Sequence, residues 1–100
     1  MNLIPRLRAG KPGFVVNIPV NPLNPTGTWT CRGLGTRERP EAIAIAKDAG
    51  LLLERPDLLK NPMKHLLDLS GYHLRAVALI LGNDHAATLK LVEMKNPTIG

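Results

Sequence analysis

The sequence predicts an α+β fold: a small antiparallel sheet of two or three strands packed on one helix, followed by short C-terminal helices. Three observations carry this expectation. Residues 14–32 hold two alternating runs, the first of them β-branched, divided by a segment rich in Asn and Pro. Residues 40–53 repeat apolar side chains at helical spacing. Beyond residue 56, Pro and Gly punctuate the chain so often that only short helices fit between them.

The elements follow in order. A weak first strand is expected through Leu3–Arg8, turning at Gly10-Lys11-Pro12-Gly13. In the second, Phe14–Val20, the period of two puts Phe14, Val16, Ile18 and Val20 on one face and Val15, Asn17 and Pro19 on the other. Pro19 has no N–H to give a ladder, so the strand is expected near an edge or locally unpaired there. Asn24-Pro25-Thr26-Gly27 places Asn, Pro and Gly where a type I turn favours them. The third strand, Thr28–Arg32, alternates Trp29 and Cys31 with Thr28, Thr30 and Arg32. Trp29 is expected to join Phe14, Val16 and Ile18 in the core against the helix, and Cys31 to be buried and inert.

Pro40 suits the first position of the helix, where its missing N–H has no partner to lose. Ala42, Ile45, Ala46, Ala49, Leu52 and Leu53 form one apolar stripe, small at its start and so able to approach a sheet closely. Gly50 weakens the helix by roughly 1 kcal/mol relative to Ala, and Pro56 stops it. Short helices are then expected over 62–69, 72–81 and 84–93. The second presents Leu74, Val77, Ala78 and Leu81 and ends in a Gly82-Asn83 cap; the third turns Ala87, Leu91 and Met94 inward. Residues 1–55 thus read as a sheet-and-helix module and residues 56–100 as a short helical appendage.

With 100 residues, 44% of them hydrophobic and 21% charged, the chain is globular and too small for a large active-site cleft. Its longest apolar run, Ala76–Leu81, is far below a membrane span. No charged stretch followed by an apolar core of roughly 7–15 residues opens it, so no signal peptide is expected. One cysteine excludes an internal disulfide and a multi-cysteine metal site, and the protein is expected in the cytoplasm. A chain ending at Thr98-Ile99-Gly100 is compatible with a fragment of a longer protein.

The net charge of +5 is unevenly placed. Residues 1–39 carry Arg6, Arg8, Lys11, Arg32, Arg37 and Arg39 against the single acid Glu38, whereas residues 40–100 are balanced. All the excess lies in the first two-fifths, which points to a polyanionic partner for that segment. Catalytic patterns are absent. His65, His73 and His85 share no helical face, no HExxH or CxxC accompanies them, and there is neither GxxxxGK[ST] nor GxGxxG. No enzyme activity, cofactor or metal is expected.

The junction after the third strand is more specific. Leu34-Gly35-Thr36, Arg37-Glu38-Arg39 and Glu41-Ala42 resemble the N-terminal, arm-type (AP2-like) DNA-binding domain of phage-type tyrosine recombinases, or integrases. The resemblance covers about residues 3–55. It implies a three-stranded sheet on one helix that enters the major groove, in a protein of a phage or mobile element engaged in recombination. Two departures stand beside it. The connection Asn21–Gly27 carries no basic residue, and the Arg…His-x-x-Arg…Tyr set of the recombinases is missing, so this chain performs no strand exchange.

The residues expected to contact DNA are Arg6, Arg8, Asn17, Thr28, Thr30 and Arg32 on the strands, with Lys11, Arg37 and Arg39 at turns. Arginine addresses guanine edges bidentately, whereas cations at turns suit phosphates. The alternative is a protein-interaction or assembly module, binding a protein partner or a second copy through an apolar stripe on residues 62–94.

Overall fold

The computed structural model describes residues 1–10, 12–82 and 86–95 and shows the expected α+β fold. Strands β1 (Arg6–Leu7), β2 (Phe14–Pro19) and β3 (Trp29–Gly33) form one antiparallel sheet in the order β1-β2-β3. Helices α1 (Arg39–Leu53), α2 (Pro56–Lys60), α3 (Leu66–Leu69), α4 (Leu74–Leu81) and α5 (Ala86–Lys95) follow, with a 3₁₀ turn over Pro62–His65. Lys11 and His85 lie outside the described residues. Among the described residues no helix is long and apolar enough to cross a membrane.

The first strand keeps only two residues, pairing Arg6 with Val15 and Leu7 with Phe14. This brevity explains Pro19. The Val20 N–H donates to the Thr28 carbonyl (2.8 Å) and the Leu34 N–H to the Phe14 carbonyl (2.9 Å), so even-numbered residues of β2 turn their backbone toward β3. Pro19 therefore faces the side where β1 has already ended, and no ladder bond is lost. The β2–β3 turn closes as expected, with the Gly27 N–H on the Asn24 carbonyl (3.1 Å).

The register of β3 corrects the expected facing. Arg32 lies opposite Val16 and Thr30 opposite Ile18, while Cys31 lies opposite Asn17 and Trp29 opposite Pro19. Directly opposed residues of a sheet share a face. Thr30 and Arg32 thus stand on the α1 side with Val16 and Ile18, and Trp29 and Cys31 on the open side with Asn17. Trp29 does not fill the core: it is 39% exposed, and its Nε1–H donates to the Pro25 carbonyl (2.7 Å). Cys31 is exposed rather than buried. Leu34, two residues beyond Arg32, supplies the core side chain that the tryptophan was expected to give.

All six stripe residues of α1 are buried, with Gly50 among them. A Cβ at Gly50 would collide with the Met1 carbonyl, so the glycine admits the N-terminal segment against the helix. Pro56 does more than halt α1; it occupies the first turn of α2, with Asp57 beside it. The C-terminal helices complete the same core. Leu58, Leu69, Ala76, Val77, Ile80 and Leu91 join Phe14, Val16, Ile18 and the α1 stripe in one cluster. The apolar stripe expected to meet a partner is thus spent inward at Val77 and Leu91, while Met94, expected inward, is 43% exposed, and so is Val20 at 59%. Gly82 caps α4 at φ 90°, its N–H on the Ala78 carbonyl at 2.8 Å.

Polar contacts also tie the two halves. Asp48 of α1 accepts the His73 N–H at 2.6 Å, and His73 Nδ1 accepts the Arg75 N–H at 3.1 Å, capping α4. Half-buried, the carboxylate satisfies a donor that α4 itself leaves unpaired. Asp48→Ala is expected to cost about 1.5–3 kcal/mol, the range for hydrogen bonds to charged groups, and Asp48→Asn distinctly less. Urea denaturation of the two variants checks this.

On the surface, Arg55 meets Asp57 through Nε at 3.1 Å and Nη2 at 2.9 Å. The hydrogen bond from Arg55 holds the Asp57 carboxyl below the usual carboxylate range, while the same bond pushes Arg55 up. A lowered carboxyl pKa stabilises the fold above the unfolded value, about 3.9, and that contribution fades as pH falls through the folded value. Asp57→Asn is therefore expected to melt slightly below the parent protein at pH 7, and the gap should close as pH falls below the usual carboxylate range. Melting temperatures measured across that range test it, and the gap should shrink in high salt.

Candidate nucleic-acid interface

The arginines of the sheet occupy three places. On the open face, Arg6 reaches across β2, its Nη2 donating to Asn17 Oδ1 at 3.1 Å and lying 3.8 Å from Cys31 Sγ. The three residues belong to three different strands, and antiparallel pairing alone aligns them: Arg6 is opposite Val15, and Asn17 opposite Cys31. Both Arg6 and Asn17 are exposed.

At the turn end of the sheet, Arg8 and Arg37 line one shallow cleft of about 230 Å³, with Gly13, Val15, Gly33 and Thr36 between them. The chain folds this way because Gly10 and Gly13 take positive φ (73° and 105°), turning β1 back along β2 and leaving Arg8 at the rim. The Phe14 N–H donates to the Thr36 carbonyl (3.2 Å), which draws the Arg37 turn beside the same strand.

The remaining expected residues lie elsewhere. Thr28 and Thr30 are on the α1 side, Thr30 half-buried, so neither accompanies Asn17. Arg32 is exposed but turned toward α4, where it lines a second cleft with Arg75. Arg39 places its guanidinium carbon 5.3 Å from the Phe14 ring centroid, a cation–π contact at the start of α1. Among the described residues none of Arg6, Arg8, Arg32, Arg37 and Arg39 forms an ion pair, whereas Arg55, Arg75 and Lys90 each meet an acid.

The junction motif has a local explanation. Leu34 enters the core, Gly35 adopts φ 71°, and Thr36 Oγ1 accepts the Glu38 N–H (3.1 Å) while donating to Glu41 Oε2 (3.3 Å). These residues brace a strand-to-helix turn, and Arg75 secures it by donating to the Gly35 carbonyl. Arg75 was not expected at this site; its long separation in sequence left no signal. Comparison with known protein families, with curated proteins and with solved structures found no match.

Proposed function

We propose that the chain is a non-catalytic DNA-binding module, of the kind that phage and mobile-element recombinases carry at their N-termini. One observation carries this reading: five exposed arginines on one small sheet, its turns and the start of α1, none neutralised by a carboxylate among the described residues. Unpaired guanidinium groups are the electrostatic footprint of a polyanion partner.

In this reading the open face approaches the major groove, which admits β-structure. Arg6 and Asn17 face the base edges, and Arg8 and Arg37 grip phosphates from the turn end. Lys11, expected in the same turn, would add to that grip. Thr28, Thr30 and Arg32 drop out of the base-reading set because they face the other way.

Fluorescence anisotropy of a labelled 20-base-pair duplex, titrated at two salt concentrations, tests the proposal. Log K should fall with log salt at about 0.9 per phosphate neutralised, so a slope near 3–5 is expected. Absence of binding at low salt would overturn it.

A further inference from the structure

We propose that the outer edge of β3 accepts an extended, acidic segment of another protein as a fourth strand. This site is distinct from the open face and does not depend on the DNA reading.

Among the described residues the edge is unpaired and of usable length. In the order β1-β2-β3 the five-residue β3 is terminal, and α4 stands across a cleft of about 460 Å³ from it. Even-numbered residues of β3 turn their backbone to β2, so Trp29, Cys31 and Gly33 present theirs outward. An unpaired edge of this kind is a template for an added strand.

The cleft supplies what such a strand needs for its side chains. Arg75, Ala78, Leu79 and Gly82, at i, i+3, i+4 and i+7, form the α4 wall. Leu34 and Ile45, both buried, make an apolar floor. Alternate side chains of an added strand point to one face, and every second one would enter this floor. Glycines at 33 and 82 leave the rim open; a Cβ at either would meet nothing within 4 Å. Among the described residues no neighbour requires Gly33 to be small, whereas Gly82 also serves the positive φ of the α4 cap.

Charge selects the occupant. Arg32 and Arg75 both line the cleft, and Arg32 has no ion-pair partner among the described residues. Arg75 is held by the Gly35 carbonyl, with Glu41 Oε1 at 3.9 Å from its Nε. An acidic side chain flanking the added strand would complete Arg32, the one of the two without an acid among the described residues. A second copy of this chain fits poorly, because pairing two β3 edges brings Arg32 near its own counterpart.

The full chain, labelled with ¹⁵N, is titrated with a capped hexapeptide alternating valine and glutamate. Two control peptides replace valine by proline or glutamate by lysine. Saturable shifts are expected at the amides of Cys31, Gly33 and Leu79, with affinity at least tenfold above either control. Arg32→Glu should lower that affinity at least tenfold at an unchanged melting temperature, since Arg32 is exposed. Equal binding of the proline peptide would reduce the effect to charge and overturn the proposal. So would shifts centred on Arg6 and Asn17, concentration-dependent shifts at β3 without peptide, or no saturation at millimolar peptide.

Discussion

Val77→Asp is expected to unfold the entire chain rather than release a C-terminal tail. Val77 is fully buried in α4, which packs on α1, and it belongs to the cluster that contains Val16 and Ile18 of the sheet. The substitution forfeits about 1.5–3 kcal/mol of apolar burial and forces a carboxylate into the same space, at a cost of several kcal/mol more. Against a total stability of about 5–15 kcal/mol for a domain, that is decisive. The milder Leu91→Ala, also at a fully buried position, should cost about 2–5 kcal/mol and leave a folded protein to measure. Trp29 reports on the sheet and far-ultraviolet circular dichroism on the helices. If the core is one unit, both probes lose structure at the same urea concentration in Leu91→Ala. Separate transitions would show that residues 56–95 fold independently of the sheet.

The same core explains what was legible in the sequence. The α1 stripe was readable residue for residue, because a helix of 15 residues repeats its period often enough to identify its buried face. The β2 core face was equally clear at Phe14, Val16 and Ile18, where β-branched and aromatic side chains alternate with Asn17. The facing of β3 was not. Its alternation offered two faces, and hydrophobicity favoured the one with Trp29 and Cys31. Register decides such a choice, and a shift of one residue moves every side chain to the other face. The deciding signal lay just past the strand: Leu34 shares parity with Thr30 and Arg32, so burying it puts them on the core side.

Two further misses have equally local causes. Pro56 is expected only to stop α1, yet proline followed by an acid is also the start signal of a helix, and α2 uses it so. Trp29 satisfies its indole N–H on the Pro25 carbonyl, within the loop that the strand leaves. Placing it in the core would have required a buried partner for that donor. The candidate site divided along the same line. Arg6 and Asn17 were expected on one face and are bonded there, whereas the cleft shared by Arg8 and Arg37 depends on two glycine turns and a backbone bond that no periodicity encodes.

Removing Arg8 and Arg37 together is expected to weaken DNA binding more than any other pair of surface changes. Both are exposed, both line the turn-end cleft, and neither has an acid partner among the described residues. Their substitution by glutamine should therefore leave the melting temperature within the range of ordinary surface changes, about 0.5 kcal/mol. Each phosphate contact contributes about 0.9 to the salt slope, so the double variant should lose close to 2 from a parent slope near 3–5. The loss should be the same for any duplex sequence, because phosphate contacts position a protein without reading bases. Arg6→Gln is the complement. Held by Asn17 over the open face, Arg6 should cost about 1–3 kcal/mol on preferred sequences, the range for a bidentate base contact, and change the slope little. Arg32→Gln, turned toward α4, should leave both quantities at the parent values. If Arg32→Gln lowers the slope as much as the Arg8 and Arg37 changes do, the DNA lies against the α4 side and the open face is not the interface.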